Sequence, residues 1–323
     1  MKEILRVEDL NVTYQTKSKS IYAVRNAAFT INQGDSMGVV GESGSGKSTL
    51  AMAVLRLHDE KYTDITGKAI FENDKDLISI SQSEMDTLRW KDISVVFQRA
   101  MNSLSPVHRI RQQVEDIYRI HEPKASREEI RERMVNLLKL VNLPERVYDL
   151  YPHEMSGGML QRTAIAISLL HNPKLIVFDE ATTALDVVTQ GQILKEIVEM
   201  EKTLNMTRIM ITHDMSVVAE SCNKIAVMYA GELLETGMVK DIFKKPCHPY
   251  TQGLIKSFPA LKGGHHGKLT SIPGNLPDLS VSCKGCIFAD RCDRAEKKCF
   301  EEKPSYKAMQ DGRNVACHFA EEM

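Results

Sequence analysis

No stretch of this chain approaches the run of about 18–20 apolar residues that a membrane-spanning helix needs, so it is expected to carry no span of its own. Met1-Lys2-Glu3-Ile4-Leu5-Arg6 leads straight into an alternating strand pattern and lacks the apolar core of a secretory signal. Together these predict a cytosolic chain unless another component holds it at a membrane. Excess charge is missing too: 42 Lys and Arg against 43 Asp and Glu leave a formal net charge of −1. Such a balance offers no general attraction to nucleic acid or anionic lipid. Cysteine is scarce over most of the length, with seven in all and five of those past position 280. In a reducing compartment such a cluster suits metal or cluster chemistry better than disulfides. There is no internal repeat and no second phosphate-loop motif. At 323 residues, 42% apolar and 26% charged, the chain reads as a soluble globular protein with one large domain and an appendage.

The most specific stretch is Gly41-Glu42-Ser43-Gly44-Ser45-Gly46-Lys47-Ser48-Thr49, which fits the pattern G-x-x-x-x-G-K-[ST]. Glycines let the backbone curl until several N–H groups point at one phosphate. Lys47 would reach the β- and γ-phosphates, and the Ser48 hydroxyl would ligate Mg²⁺. The flanks agree, with a short buried strand at 36–40 and an apolar helix at 47–57, whose positive end would face the phosphates. A bare glycine turn does not explain strand, loop and helix in that order.

Residues 5–14 and 21–31 read as strands joined by a polar loop, and 66–72 as a further strand, which together predict a small antiparallel sheet. Tyr14 could stack on an adenine or be a half-buried strand aromatic. Residues 93–98 form a buried strand ending in the amide of Gln98. From 99 to 150 no strand is convincing, and at least two helical patterns appear. Ser126-Arg127-Glu128-Glu129 is a capping box, and Ile130, Met134, Leu137, Leu138 and Val141 share one apolar face. Arg131, Glu132, Arg133 and Lys139 opposite them read as solvated surface. This part looks like a helical insertion. Ser156-Gly157-Gly158 then opens an apolar helix to about 170, as a second anion site or simply an N-cap.

Residues 175–180 are an apolar strand closing on Asp179 and Glu180, as in the middle of a parallel sheet whose strand ends hold ligands. Asp179 suits a Mg²⁺ contact and Glu180 suits polarising an attacking water. Ala184-Leu185-Asp186 precedes a helix to about 204, and the strand 208–212 ends at His213. Residues 224–229 and 232–236 predict a hairpin around Ala230-Gly231. Past 246 the composition shifts, and Lys262-Gly263-Gly264-His265-His266-Gly267 reads as a flexible joint. The tail presents Cys283-x-x-Cys286, then Cys292, Cys299, Cys317 and His318. On spacing alone, zinc and an iron–sulfur cluster both fit.

In order and spacing these pieces resemble the ATP-binding-cassette (ABC) ATPases across the whole chain. The resemblance implies an α/β P-loop NTPase with a RecA-like core, an antiparallel β-subdomain, a helical subdomain near 99–160 and a small irregular C-terminal domain. The nucleotide-binding domain would span 1–258 and the cysteine-rich domain 259–323. It assigns residues 41–49 to the Walker A loop, 175–180 to the Walker B strand, and Gln98 to the Q-loop with a link to Mg²⁺. Ser156, Gly157, Gly158 and Gln161 match the signature that closes over a partner's nucleotide. Ala184-Leu185-Asp186 matches the D-loop, His213 the switch histidine, and Tyr14 the adenine-stacking aromatic.

Tyr151-Pro152-His153-Glu154-Met155, Val227-Met228-Tyr229-Ala230-Gly231-Glu232, His248-Pro249-Tyr250-Thr251 and Ile272-Pro273-Gly274 narrow the likeness. They resemble the oligopeptide, dipeptide and nickel importer subfamily, in the subunit type whose signature reads Gly-Gly-Met. That likeness implies an ATPase driving import of peptides or a related solute, with nickel chelates or oligosaccharides as alternatives. It implies a second ATPase subunit, two membrane permeases and, indirectly, an extracytoplasmic solute-binding protein, on the cytoplasmic membrane face and without nucleic acid. It also implies that Cys286, Cys292, Cys299 and Cys317 hold a [4Fe–4S] cluster, with Cys283 spare. The chain departs from the family at Leu160 for the usual arginine, Ala181 for the usual proline, and Arg99-Ala100 for an acidic-proline pair. A chromosome-organising ATPase would need a coiled coil that the 98–156 interval cannot hold. A ribosome-acting protein would carry two cassettes, and an exporter ATPase is disfavoured by the C-terminal extension.

Overall fold

The structure is a computed structural model and describes residues 2–98, 103–181, 186–257 and 272–322. Arg99-Ala100, Ala184-Leu185, the joint at 262–267 and the expected domain break at 258 lie outside the described residues. The chain divides into two compact units. The first comprises Asn32–Gly34 and Ile80–Ile209; the second comprises Lys2–Ile31, Asp35–Ser79 and everything from Met210 on.

In the second unit, β1 (Glu3–Gln15), β2 (Ser20–Asn32), β3 (Ser36–Val40), β4 (Thr63–Phe71) and β5 (Lys75–Asp76) follow in order. Four of them make the expected antiparallel sheet, in the order β2-β1-β4-β5. The alternation of β1 has an interruption. Its register against β4 shifts between Glu8 and Asn11, and this bulge keeps Leu10 and Val12 buried alongside Leu5 and Val7.

In the first unit, β6 (Ile93–Val96) and β7 (Leu175–Asp179) pair in parallel from Ile93↔Leu175 to Val96↔Phe178. Every residue of β7 is buried, as a strand covered on both faces requires. Helices Ile110–His121 and Arg127–Leu140 form the expected insertion. The capping box is present: Ser126 Oγ accepts from the Glu129 N–H at 3.1 Å, and the Ser126 N–H donates to Glu129 Oε2 at 2.8 Å. Ile130, Met134, Leu137, Leu138 and Val141 are all buried. Arg133 is not solvated surface as its sequence position suggests. It donates to the backbone oxygens of Leu169 and Leu170, at 2.7 and 2.9 Å, just past helix Gly157–Ser168. Terminal carbonyls of a helix lack intrahelical donors, and a guanidinium supplies them. Helix Gln82–Leu88, with its own Ser81–Glu84 capping box, was not legible from periodicity.

β8 (Thr207–Thr212) carries the chain from the first unit to the second. There β9 (Lys224–Tyr229) and β10 (Glu232–Met238) form the expected hairpin, with Ala230 and Gly231 at φ 49° and 87°. β3 lies parallel to β9. The tail adds β11 (Lys307–Ala308) and β12 (Asn314–Val315), and β12 pairs with β10. Ile287, Phe288 and Ala316 of the tail share one core with Val227, Tyr229, Leu234 and Tyr250. A fully buried Glu235 accepts from the backbone N–H groups of Cys247 (2.8 Å) and His248 (3.0 Å), while burial pushes its carboxyl above the usual range.

Candidate functional site

The second unit holds the phosphate loop between β3 and helix Lys47–Val54. Gly41 and Gly46 sit at φ 154° and 101°, and a Cβ on them would stand 2.0 Å from Met228 O and 2.3 Å from Ala23 O. Any side chain at either position would push the loop open. Lys47, 5% exposed, donates from Nζ to the carbonyl oxygens of Gly41 and Glu42, both at 2.9 Å. Its charge is thereby held inside the curl of the loop. Ser45 is fully buried, and its Oγ has no hydrogen-bond partner among the described residues. Ser43 and Gly44 form the outer turn, and Ser48 lies in the first turn of the helix. Tyr14 Oη lies 3.2 Å from Thr49 Oγ1 and 3.4 Å from His58 Nδ1, so the strand aromatic stands beside the first turn of that helix. His213 follows β8 directly and is exposed; Asp214 behind it caps helix Met215–Ser221 through Ser216 N at 2.8 Å.

The first unit holds the carboxylates. Asp179 ends β7 and is 8% exposed. Glu180 follows at φ 48°, a left-handed conformation that side-chain-bearing residues adopt at a cost and that clusters at functional sites. Gln98 Nε2 donates to Glu180 Oε2 at 2.9 Å. The two residues expected to handle water and Mg²⁺ are thus in direct contact. Ser156 Oγ accepts from Met159 N at 3.3 Å and caps helix Gly157–Ser168. Gly157 begins that helix, and a Cβ on Gly158 would come within 2.9 Å of Thr189 Cγ2. Gln161 is 4% exposed, and its Nε2 has no hydrogen-bond partner among the described residues. Leu160 is 5% exposed, so this departure from the signature is absorbed in the interior of its own unit. Arg162 pairs with Glu196 at 3.0 Å and ties the signature helix to helix Val187–Leu204. Asp186 caps the latter, and its hydrogen bonds from Thr189 hold its carboxyl below the usual range.

Cys286, Cys292, Cys299 and Cys317 line one small cavity with His248 and Phe288, and all are free thiols. Cys283 is exposed and bonded to Gly285 O, apart from that group. Burial, aided by the neighbouring thiols, pushes Cys286 up to about 12 and raises Cys292 and Cys317. Among the described residues, no group of three or more His, Cys, Asp or Glu is placed to hold a metal ion.

Sequence reasoning missed three residues at the phosphate loop. Glu42 donates its N–H to Tyr250 Oη at 3.0 Å, and both its carboxylate oxygens pair with Arg291 at 3.0 Å. The only hint was that Tyr250 lies in a subfamily-like tetrapeptide.

Two family models match the chain, one described as ABC transporter over residues 24–183, the other as the oligopeptide/dipeptide transporter C-terminal region over 234–299. The oligopeptide transport ATP-binding protein OppD of Bacillus subtilis is 42% identical over 97% of this chain and 87% of its own. The dipeptide transport ATP-binding protein DppD of Escherichia coli is 38% identical over 98% and 96%. A dimeric ATP-binding cassette solved in a post-hydrolysis state with ADP and phosphate superposes with a TM-score of 0.65 at 29% identity, over 73% of this chain and 98% of its own. No helix among the described residues is long and apolar enough to cross a membrane.

Proposed function

Because the chain belongs to the ABC transporter ATPases, we propose that it is the ATP-hydrolysing subunit of an importer for oligopeptides or dipeptides. The observation that carries this is the likeness to the two peptide-transport subunits along nearly the whole length, tail included. On this reading the N–H groups of residues 41–46 and the Lys47 ammonium hold the phosphates, and Tyr14 stacks on the adenine. Ser48 beside the phosphate loop would be a Mg²⁺ ligand, as would Asp179 and Gln98 in the first unit, and the ion would neutralise phosphate charge. Glu180 orients and deprotonates water, with Gln98 steadying its carboxylate, and His213 contacts the γ-phosphate. Ser156, Gly157, Gly158 and Gln161 close over nucleotide on a second, homologous ATPase subunit.

The assembly would include two permeases at the cytoplasmic face, served by a solute-binding protein. The cassette would occupy 1–258 and the cysteine domain 259–323. Four thiols around one cavity suit a [4Fe–4S] cluster as donor set, held by Cys286, Cys292, Cys299 and Cys317 as a structural tie. Zinc in the same thiolates is the competing occupant.

The test is co-expression with the partner ATPase and permeases from the same genome, reconstituted in vesicles. Hydrolysis should rise several-fold when a peptide-loaded binding protein is added. The isolated subunit should turn over slowly, since its nucleotide lacks the partner's signature. Full turnover by the chain alone, or indifference to peptide, would refute the reading.

A further inference from the structure

Arg291 sits in the short turn Ala289–Arg291, directly before Cys292, yet its guanidinium reaches the phosphate loop. Nη1 and Nη2 take the two carboxylate oxygens of Glu42, each at 3.0 Å, in the bidentate geometry that fits guanidinium to carboxylate. The remaining donors are also used. Nε donates to Pro273 O at 2.7 Å, Nη2 to Ile272 O at 3.1 Å, and Nη1 to Tyr229 Oη at 3.3 Å. The Arg291 side chain is only 6% exposed and that of Glu42 29%, so the pair is half-buried and water screens it only in part. From the other side, Tyr250 Oη accepts the Glu42 N–H at 3.0 Å, and Leu276 Cδ1 lies 3.5 Å from the point where a Cβ on Gly44 would sit. Arg25 joins the same segment to β2 by donating to Leu279 O and Val281 O, both at 3.0 Å. Residues 272–291 therefore lie on the loop that wraps the phosphates.

We infer that Arg291 is a positioning residue for ATP binding: it neutralises and fixes Glu42, and so makes the phosphate loop depend on the cysteine-bearing tail. The inference rests on the ATP-binding reading of that loop. Two physical effects act together. The bidentate pair holds Glu42, and with it the carbonyl that Lys47 touches, in one conformation. The pair also cancels a carboxylate charge that would otherwise sit in an anion-binding loop and repel phosphate. Because Arg291 precedes Cys292, and Cys292 shares a cavity with Cys286, Cys299 and Cys317, a disturbed thiol pocket loosens the clamp.

The experiment is calorimetric titration of the full chain with a non-hydrolysable Mg–ATP analogue, in wild type, R291A and R291A/E42A. Loss of a half-buried, bidentate charge-assisted pair should weaken nucleotide binding roughly tenfold in R291A. The second substitution removes the exposed carboxylate and should restore most of the affinity, to within about threefold of wild type. An arginine that merely braced the Ile272 and Pro273 carbonyls would give no such rescue. Should R291A fail to fold by circular dichroism, R291K takes its place, since one ammonium cannot hold both carboxylate oxygens. Wild-type affinity in R291A (or in R291K, where it is used), or a double variant no tighter than the single, would overturn the inference. If wild type itself bound no analogue, the ATP-binding reading would fall, and that result is distinct from either.

Discussion

Replacing Glu180 by Gln tests the chemistry where the structure is most specific. The amide keeps the length of the side chain, and its oxygen can still accept from Gln98 Nε2, which now lies 2.9 Å from Glu180 Oε2. The left-handed backbone at φ 48° is equally tolerated by either residue, so the turn after β7 stays in place. What disappears is the basic oxygen. Loss of a general base costs about 10²–10⁴ in turnover, or roughly 2.7–5.4 kcal/mol at 1.36 kcal/mol per tenfold. Nucleotide affinity should hold, because Asp179 and the phosphate loop are untouched. Gln98→Ala is the paired control. It removes one hydrogen bond to the carboxylate, together with one proposed Mg²⁺ contact, but leaves the base in place, so at saturating Mg²⁺ hydrolysis should fall by less, about tenfold. In E180Q/Q98A the second change should add little, since the two residues act as one unit. Single-turnover hydrolysis in the assembled transporter, with nucleotide binding measured beside it, separates these cases. Near-normal turnover in E180Q would refute the base assignment, and full additivity in the double variant would refute the coupling.

Lys47→Ala removes the cation that the loop curls around, so titration with Mg-nucleotide should show affinity lost and not merely turnover. Cys292→Ser in protein prepared without oxygen should lose broad absorption near ~400 nm; stoichiometric zinc with no iron or sulfide in the unaltered protein would decide against a cluster. His248, 1% exposed and accepting the Tyr250 N–H at Nδ1, has its pKa pushed by burial from 6.5 down to about 3. Below 6.5 the unfolded chain takes up a proton that the folded chain declines, so stability present above that pH is lost as pH falls, by about 2 kcal/mol at pH 5. His248→Asn keeps an acceptor and should lack that slope in urea unfolding from pH 7.5 to 5; parallel profiles would refute it. Comparing the two proteins also cancels Glu235, whose raised carboxyl pKa tilts stability the opposite way.

Much of the fold was legible because it follows short periods. The alternation of β1 on either side of its bulge, the unbroken apolar run of β7 and the 3–4 spacing from Ile130 to Val141 each bury what they should. The phosphate loop was legible for a different reason, since Gly41 and Gly46 are demanded by backbone contacts that no side chain could share. Arg133 was misread because a charge on the polar face of a helix is usually solvated, and nothing local announces that Leu169 and Leu170 need donors. Helix Gln82–Leu88 shows two buried residues, Met85 and Leu88, which is too few for a period to register; its capping box was the signal available.

The tail was hidden because its partners are remote. Glu42 and Arg291 are 249 positions apart, and neither lies in a pattern that predicts the other. The irregular tail offers no apolar period from which a core can be read. Yet Ile287, Phe288 and Ala316 are buried against Tyr229 and Tyr250, and β12 extends the hairpin of β9 and β10. The tail thus borrows a core from the body instead of building its own. A segment folded in this way cannot be independent of the surface it folds on, and here that surface includes the back of the phosphate loop. Substitutions in residues 272–292 should therefore register first as changes in nucleotide affinity, ahead of any loss of overall fold, and hydrogen exchange at the Glu42 amide is the local measurement that would show it.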